Sequence, residues 1–165
     1  MLTIQTGTNN QILRKVSLAV TKVTPELRQL IEEMFVTMQH EKGVGLAAPQ
    51  VGQNIRLILV TLSKGRKHEV FPMFNPELLQ VSSEQEICEE GCLSIPGVFA
   101  EVTRAAAVTV NYLDENGKAQ FQRLEGMNAR VVQHEIDHLN GVLFTDYLDQ
   151  STLAKLPKLK NTVSL

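Results

Sequence analysis

The segment His134-Glu135-Ile136-Asp137-His138 holds two histidines four residues apart, with a glutamate directly after the first. On a helix this spacing places both imidazoles on one face, about one turn apart, where both can bind one metal ion. The glutamate between them can then accept a proton from a water molecule, as in zinc hydrolases with this pattern. The alternative is a buried histidine pair satisfied by hydrogen bonds, because a five-residue pattern also recurs by chance.

A catalytic metal needs a third protein ligand, and this ligand is expected upstream of the histidine motif. Downstream there are two aspartates but no further histidine or cysteine. Cys92 stands out, since Gly91 before it permits close backbone approach and Pro96-Gly97 after it forces a turn. The other upstream candidates are the acids, Cys88, and two histidines whose charged neighbours predict exposure to solvent, His40 and His68.

A glycine-rich stretch, Gly43-Val44-Gly45-Leu46-Ala47-Ala48-Pro49-Gln50, ends in an uncharged amide. Its small residues allow the backbone to run close beside a ligand or another segment. Gln50 can donate to a developing oxyanion without altering the pKa values of neighbouring groups. A phosphate-binding loop is disfavoured because the stretch lacks Gly-Lys-Ser/Thr and does not follow a strand. A structural turn between a helix and a strand remains the alternative.

The composition is that of an ordinary globular chain. With 165 residues, 43% hydrophobic and 21% charged, we expect one domain over residues 1–165, with about 150–165 as a frayed or short C-terminal segment. A net charge of −2 gives no reason to expect nucleic-acid binding. Two cysteines indicate a reducing compartment, and the absence of a membrane-length apolar run or leader pattern predicts a cytoplasmic location.

Two helices are predicted. The first begins at Thr24-Pro25, with threonine as N-cap and proline at the first position, and ends near Lys42-Gly43. The second carries the histidine motif and ends at Asn140-Gly141. On its wheel Met127 and Val131 share the inward face with both histidines, whereas three polar residues are expected to face outward: Arg130, Gln133 and Asp137.

The remaining segments predict strands, and the fold class is therefore α+β. We expect antiparallel β-strands packed around a central metal-ligand-bearing helix, with a second, N-terminal helix. Pro72 predicts an edge position for the strand that contains it, and Asn75-Pro76 predicts a turn after it. At the N-terminus, three apolar residues are expected in the core: Ile12, Leu13 and Val16. The predicted strands are residues 55–62, 68–74, 78–81, 98–102, 107–113 and 118–124.

Three of these segments together resemble the signature motifs of the peptide deformylase family. They are the glycine-rich stretch ending at Gln50, the segment Glu90-Gly91-Cys92-Leu93-Ser94, and the histidine motif, in the order and spacing of that family. The resemblance implies a metal-dependent hydrolase that removes the N-formyl group from formylmethionine on newly made polypeptides.

The resemblance also implies roles for individual residues. It implies Cys92, His134 and His138 as ligands of one divalent metal ion, natively Fe(II), with zinc, nickel or cobalt able to replace it. It implies Glu135 as general base, and Gln50 with the Leu93 N–H as donors to the formyl oxygen. Gly45 and its neighbour Val44 are implied to contact the peptide. For the methionine side chain we expect an apolar pocket, with three candidates: Met127, Val131 and Cys88.

The implied partners are N-formylmethionyl nascent peptides, with no nucleic-acid specificity and no membrane. Ribosome contact is placed in doubt, because Pro157 predicts that a long final helix is truncated.

Two rival metal sites compete with a hydrolase. Cys88 and Cys92 with the two histidines would make a four-ligand structural zinc site, although the pairs lie farther apart than in zinc fingers and Glu135 and Gln50 would have no role. A copper electron-transfer site would also use two histidines and a cysteine, but the two histidines would not normally share one helix turn.

Overall fold

The computed structural model describes residues 1–156 and is an α+β fold with two antiparallel sheets. The larger sheet has the order β1-β2-β3-β6-β7, and β4 pairs with β5. The strands are Gly45–Ala47 (β1), Leu57–Lys64 (β2), Lys67–Val81 (β3), Gln85–Cys92 (β4), Ile95–Ala105 (β5), Ala107–Leu113 (β6) and Ala119–Glu125 (β7). The helices are Pro25–His40 (α1), Gly126–Leu139 (α2) and Gln150–Leu153 (α3), with short 3-10 helices at Ala48–Val51 and Phe144–Tyr147.

Helix α2 is central because both of its sides are covered. Val132, Ile136 and Leu139 are buried against the larger sheet in one apolar cluster, and each such side chain contributes roughly 1.5–3 kcal/mol by leaving water. On its other side the imidazole of His134 stacks on the ring of Phe144, with 6.2 Å between ring centroids. The predicted architecture, antiparallel strands around a histidine-bearing helix, is confirmed.

The prediction that Arg130, Gln133 and Asp137 face outward is wrong for the first two. Asp137 is only partly exposed and forms an ion pair with the buried Arg104. Arg130 and Gln133 are buried, with 4% and 9% exposure, because the strands on this side of α2 cover them as well. Gln133 forms two hydrogen bonds with the backbone of Ala105, donating to its carbonyl and accepting from its N–H. Met127, predicted to face inward, is 61% exposed in the first turn of α2.

Helix α1 begins and packs as predicted. The side chain of Thr24 accepts a hydrogen bond from the N–H of Leu27, and Pro25 occupies the first turn. Met34 and Met38 are buried against the larger sheet. The end of the helix differs in detail from the prediction, because Lys42 and not Gly43 takes the left-handed conformation, at φ 56°.

Strand β3 is longer and more central than predicted. It pairs with β2 from Lys67 to Phe74 and with β6 from Phe74 to Val81. Pro72 lies at an edge of the sheet, as predicted, because at this position β3 is paired with β2 alone and the missing N–H breaks no ladder to β6. Asn75, at φ 49°, lies in a register irregularity within the strand and does not turn the chain back.

The N-terminal segment is held against the C-terminal part of the described chain. Leu13 is fully buried, as predicted, whereas Val16 is 66% exposed, which makes that part of the core prediction wrong. Arg14 donates two hydrogen bonds to the carboxylate of Asp146, at 2.6 and 3.0 Å.

Among residues 1–156, no helix has the length and apolar character needed to cross a membrane. Part of the predicted frayed end, Gln150–Leu153, forms a short helix capped by the Asp149 side chain. Pro157, and with it the predicted truncation of a final helix, lies outside the described residues.

Candidate metal centre and active site

Strand β4 and helix α2 bring three metal-ligating side chains together. The ligand atoms of Cys92, His134 and His138 lie within 4.8 Å of one another, and the Nε2 of His138 is 3.2 Å from the Sγ of Cys92. Cys88 is not part of this group. Cys88 precedes Cys92 by four residues of β4, and a strand rises about 3.3 Å per residue, so the two cysteines are roughly 13 Å apart and cannot bind one ion.

The three side chains fit a divalent transition metal. A thiolate and two imidazoles are the donors that zinc and ferrous iron accept, and three protein ligands leave a further position open. Burial lowers the pKa of His138 well below its ordinary value, so its imidazole is neutral, as a ligand must be. Its Nδ1 is buried without a hydrogen-bond partner among the described residues. A four-ligand structural site does not fit, because Cys88 is absent from the group.

Glu90 supports the centre and was missed by sequence reasoning. Its Oε2 accepts a hydrogen bond from the Nδ1 of His134 at 2.9 Å, which leaves the Nε2 of that ring for a metal. Ligating histidines usually need such a partner on the second nitrogen. The position of Glu90 two residues before Cys92 was the available signal, since a strand places alternate residues near the same neighbours.

Two buried arginines compensate the charge of Glu90. Arg104 donates to both carboxylate oxygens, at 2.6 and 3.0 Å, and Arg130 donates to Oε1 at 2.7 Å. Burial alone would raise the pKa of Glu90, but the hydrogen bonds from His134 and Arg104 and their charges lower it to about 2. Glu90 is therefore ionised throughout the physiological range.

Replacing Glu90 by glutamine is expected to destabilise the protein by about 3–5 kcal/mol, because the buried Arg130 loses its carboxylate partner and the buried Arg104 keeps only Asp137. The pKa of Glu90 is lowered from 4.5 to about 2 on folding, so this stabilisation is present above pH 4.5 and is lost as the pH falls toward 2. Urea unfolding of the metal-free wild type and variant between pH 3 and 7 tests the size of the effect and its pH dependence. This range runs from full stabilisation, above pH 4.5, into the region where the stabilisation is being lost. Glu89→Gln, at an exposed neighbour, is the matched control and should cost less than about 0.5 kcal/mol. A cost of that size for Glu90→Gln would contradict the prediction.

Glu135 lies beside the three ligands and is almost fully buried. Its Oε2 has no hydrogen-bond partner among the described residues, and burial raises the pKa of this carboxyl to about 7 against the opposing charges of His134 and Arg104. Gly45 explains how the carboxylate fits, since a Cβ at Gly45 would lie only 2.8 Å from the Glu135 Cδ. A carboxylate with a pKa near neutrality can both take and return a proton.

The amide of Gln50 is held with its nitrogen toward the centre. Its Oε1 accepts from the N–H of Ala47 at 2.8 Å, and its Nε2 donates to the Oγ of Ser94 at 3.1 Å and lies 3.6 Å from the Sγ of Cys92. Leu93 occupies the turn between β4 and β5, directly after Cys92, and lines the same cavity. Both residues therefore line the cavity beside Cys92.

A cavity of about 450 Å³ opens onto these residues. Four of the predicted peptide contacts line it: Gly45 and the buried Val131 inside, and the exposed Val44 and Met127 at its mouth. Cys88 does not line the cavity, so its prediction as a pocket residue is wrong. Its half-buried side chain lies on β4 opposite Val102 of β5, four residues along the strand from Cys92 and therefore roughly 13 Å from it.

Comparison with known proteins agrees with this geometry. The model of the polypeptide deformylase family matches residues 1–154. The chain belongs to the polypeptide deformylase family. Enzymes of this family are metal-dependent, in agreement with the convergence of Cys92, His134 and His138.

Individual family members are similar over most of their length. A peptide deformylase of Bradyrhizobium sp. strain ORS 278 is 49% identical over 143 residues, which cover 84% of this chain and 82% of the relative. A peptide deformylase from Synechococcus elongatus, solved in complex with actinonin, has a TM-score of 0.86 at 41% identity and covers 93% of this chain and 82% of its own. A Met-Ala-Ser-bound class I type b deformylase from Acinetobacter baumannii has a TM-score of 0.84 at 38% identity, covering 90% of this chain and 98% of its own.

Proposed function

We propose that this site removes the N-formyl group from formylmethionine at the start of newly made polypeptides and releases formate. The observation that carries the proposal is the buried Glu135 carboxylate, which lies beside three convergent metal-ligating side chains and faces a cavity. Within residues 1–156 its Oε2 has no hydrogen-bond partner. A structural zinc site would give neither Glu135 nor the cavity a purpose.

Cys92, His134 and His138 would hold the metal ion, which when bound supplies a Lewis acid that makes water acidic near neutral pH. Glu135 accepts a proton from the attacking water at its free Oε2. As the C–O bond forms and the C–N bond breaks, Glu135 passes this proton to the leaving amine. The products are formate and a peptide with a free N-terminus.

Gln50 and Leu93 are proposed to stabilise the negative charge that develops on the formyl oxygen. The Gln50 amide is fixed by the Ala47 N–H, so its Nε2 is already oriented before substrate enters. A preorganised donor of this kind is worth about 3 kcal/mol in the transition state. The backbone N–H of Leu93 would supply a second donor.

The methionine side chain of the substrate is proposed to occupy the apolar part of the cavity. Val131 is buried in its wall, and Val44 and Met127 contribute exposed apolar surface at the opening. Gly45 would offer backbone groups to the peptide. The Met-Ala-Ser ligand of the Acinetobacter relative is a peptide that begins with methionine, in keeping with this assignment.

Fe(II) is the proposed native ion, because a thiolate with two imidazoles suits ferrous iron and also admits zinc, nickel or cobalt. We place the enzyme in the cytoplasm, where thiolates remain reduced and nascent chains are available. Residues 1–165 are proposed to form one catalytic domain. Contact with the ribosome would serve the same substrate, but the residues expected to decide it follow residue 156.

A formate-release assay on a formyl-Met peptide tests the proposal. The protein is kept anaerobic and its metal content is measured, so that inactive protein is not confused with metal-free protein. We expect formate in proportion to enzyme from the formyl peptide. From the acetyl-Met analogue, whose hydrolysis would release acetate, we expect no free amine, because the extra methyl group enlarges the acyl group. Metal-loaded protein that releases no formate would overturn the proposed function.

Replacing Gln50 by alanine is expected to lower kcat by about 10²-fold or more, because one donor to the developing oxyanion is lost. Metal content should be unchanged, since Gln50 is not one of the three ligands. Gln53→Ala, at an exposed position of the same segment, is the matched control and should retain full activity. A rise in KM with unchanged kcat would instead assign Gln50 to uniform substrate binding.

A further inference from the structure

A chain of contacts leads from the surface residue Tyr147 to the metal-ligating His134. The hydroxyl of Tyr147 donates to the Oδ2 of Asp137 at 2.9 Å, and the same oxygen accepts from the Nη1 of Arg104 at 2.7 Å. The guanidinium of Arg104 also lies over the Tyr147 ring, 5.1 Å from its centroid. One tyrosine therefore holds Arg104 in two ways, through its ring and through Asp137.

Arg104 transmits this constraint inward. Its Nε and Nη2 bind the two oxygens of Glu90, and the Oε2 of Glu90 receives the N–H of His134. The planar guanidinium can satisfy Glu90 and Asp137 at once only in one orientation, because its donors form a rigid fork. A tilt of Arg104 would therefore move Glu90, and with it the imidazole of His134.

Tyr147 is itself firmly placed. The 3-10 helix that carries it begins with Phe144, which is buried beneath His134. The neighbouring Asp146 binds both Arg14 and the N–H of Leu143. The segment after α2 is thus pinned on two sides, although Tyr147 is 52% exposed. An exposed aromatic ring that covers a buried arginine also keeps water from the ion pairs behind it.

We infer that Tyr147 is a positioning residue of the metal centre, which acts through Arg104, Asp137 and Glu90 to fix the orientation of His134. The inference rests on the proposed role of His134 as a ligand. Tyr147 does not line the cavity, so its contribution concerns retention of the metal and not binding of the peptide.

The test measures metal dissociation from the full chain loaded with Co(II), by transfer to a chromophoric chelator. We expect Tyr147→Leu to accelerate metal dissociation by about tenfold, because it removes both the ring over Arg104 and the hydroxyl. Tenfold is the lower end of the loss in metal affinity when a residue that supports a ligand is replaced. Tyr147→Phe keeps the ring and should restore part of the difference. The visible Co(II) spectrum of the leucine variant should change, while KM for a formyl-Met peptide stays that of wild type.

Two control variants separate this effect from general destabilisation. Tyr112→Phe removes the hydroxyl of another tyrosine, which contacts Gln122 in the larger sheet, and Phe121→Leu removes an aromatic ring that is 69% exposed. Neither should alter the dissociation rate. If Tyr147→Leu lowers thermal stability but leaves the dissociation rate and the Co(II) spectrum unchanged, the inference is overturned. Because neither readout uses formate release, the result does not depend on whether the proposed reaction is correct.

Discussion

Replacing Cys92 by alanine is expected to release the metal and abolish formate release, whereas replacing Cys88 by alanine should leave both intact. Cys92 is one of the three convergent side chains that fit a metal ion, and Cys88 lies outside the group. The two remaining imidazoles bind a divalent ion weakly. Metal affinity should therefore fall by more than the roughly 100-fold that follows loss of a residue hydrogen-bonded to a ligand. Metal analysis after gel filtration, together with the formate assay, measures the difference.

The two cysteine variants also separate a hydrolase from a structural zinc site. A four-ligand site would make both substitutions release metal and unfold the chain to similar extents, since metal binding would then be folding energy. Cobalt substitution gives an independent count, because its visible spectrum reports the number of bound thiolates. One thiolate agrees with the geometry around Cys92, and two would contradict it.

Glutamine in place of Glu135 is expected to lower kcat by about 10²–10⁴-fold while the metal content stays that of wild type. The amide has nearly the same shape, so it fits beside Gly45, but it cannot accept and return a proton. The kcat for formate release by metal-loaded protein is the measurement. Glu125→Gln, at an exposed glutamate before α2, is the control. Near-normal turnover of Glu135→Gln would show that Glu135 is not the general base.

The same variant should not be less stable than wild type. Burial raises the pKa of Glu135 to about 7 from an ordinary value of 4.5, so the folded metal-free protein binds this proton more tightly than the unfolded chain. The carboxylate therefore destabilises the fold progressively as the pH rises from 4.5 to 7, and fully above 7. Glutamine carries no charge, and its advantage in unfolding free energy should appear over that window.

Local sequence patterns determined the ligand pair and the broad architecture. A four-residue spacing on a helix places His134 and His138 on one face whatever surrounds them, because the helical repeat is a property of the backbone. The same holds for the start of α1 at Thr24-Pro25 and for the hairpin between β6 and β7, whose turn chemistry lies within a few neighbouring residues. The family motifs added expected roles for Cys92, Gln50 and Glu135.

The polar network behind the ligands was decided by tertiary structure alone. Arg130 looked like a solvent-facing residue on the helical wheel, yet it lies buried against Glu90 because β4 and β5 cover that side of α2. A helical wheel describes one element, and it cannot tell whether a second sheet covers the polar face. A buried charge is stable only with a partner, and the partners of Arg130 come from strands 40 and 28 residues away, at the carboxylate of Glu90 and the carbonyl of Val102.

Cys88 and Pro72 show for strands the same difference between what local sequence predicts and what packing decides. Spacing allowed Cys88 and Cys92 to share a metal, and proline predicted an edge position for residues 68–74. In the fold, four residues of β4 separate the cysteines by roughly 13 Å, and β3 is at the edge around Pro72 but pairs with β6 from Phe74 onward. Which strand lies beside which residue depends on contacts distant in sequence. The sequence by itself therefore determined which residues could do the chemistry, and packing decided what holds them in place.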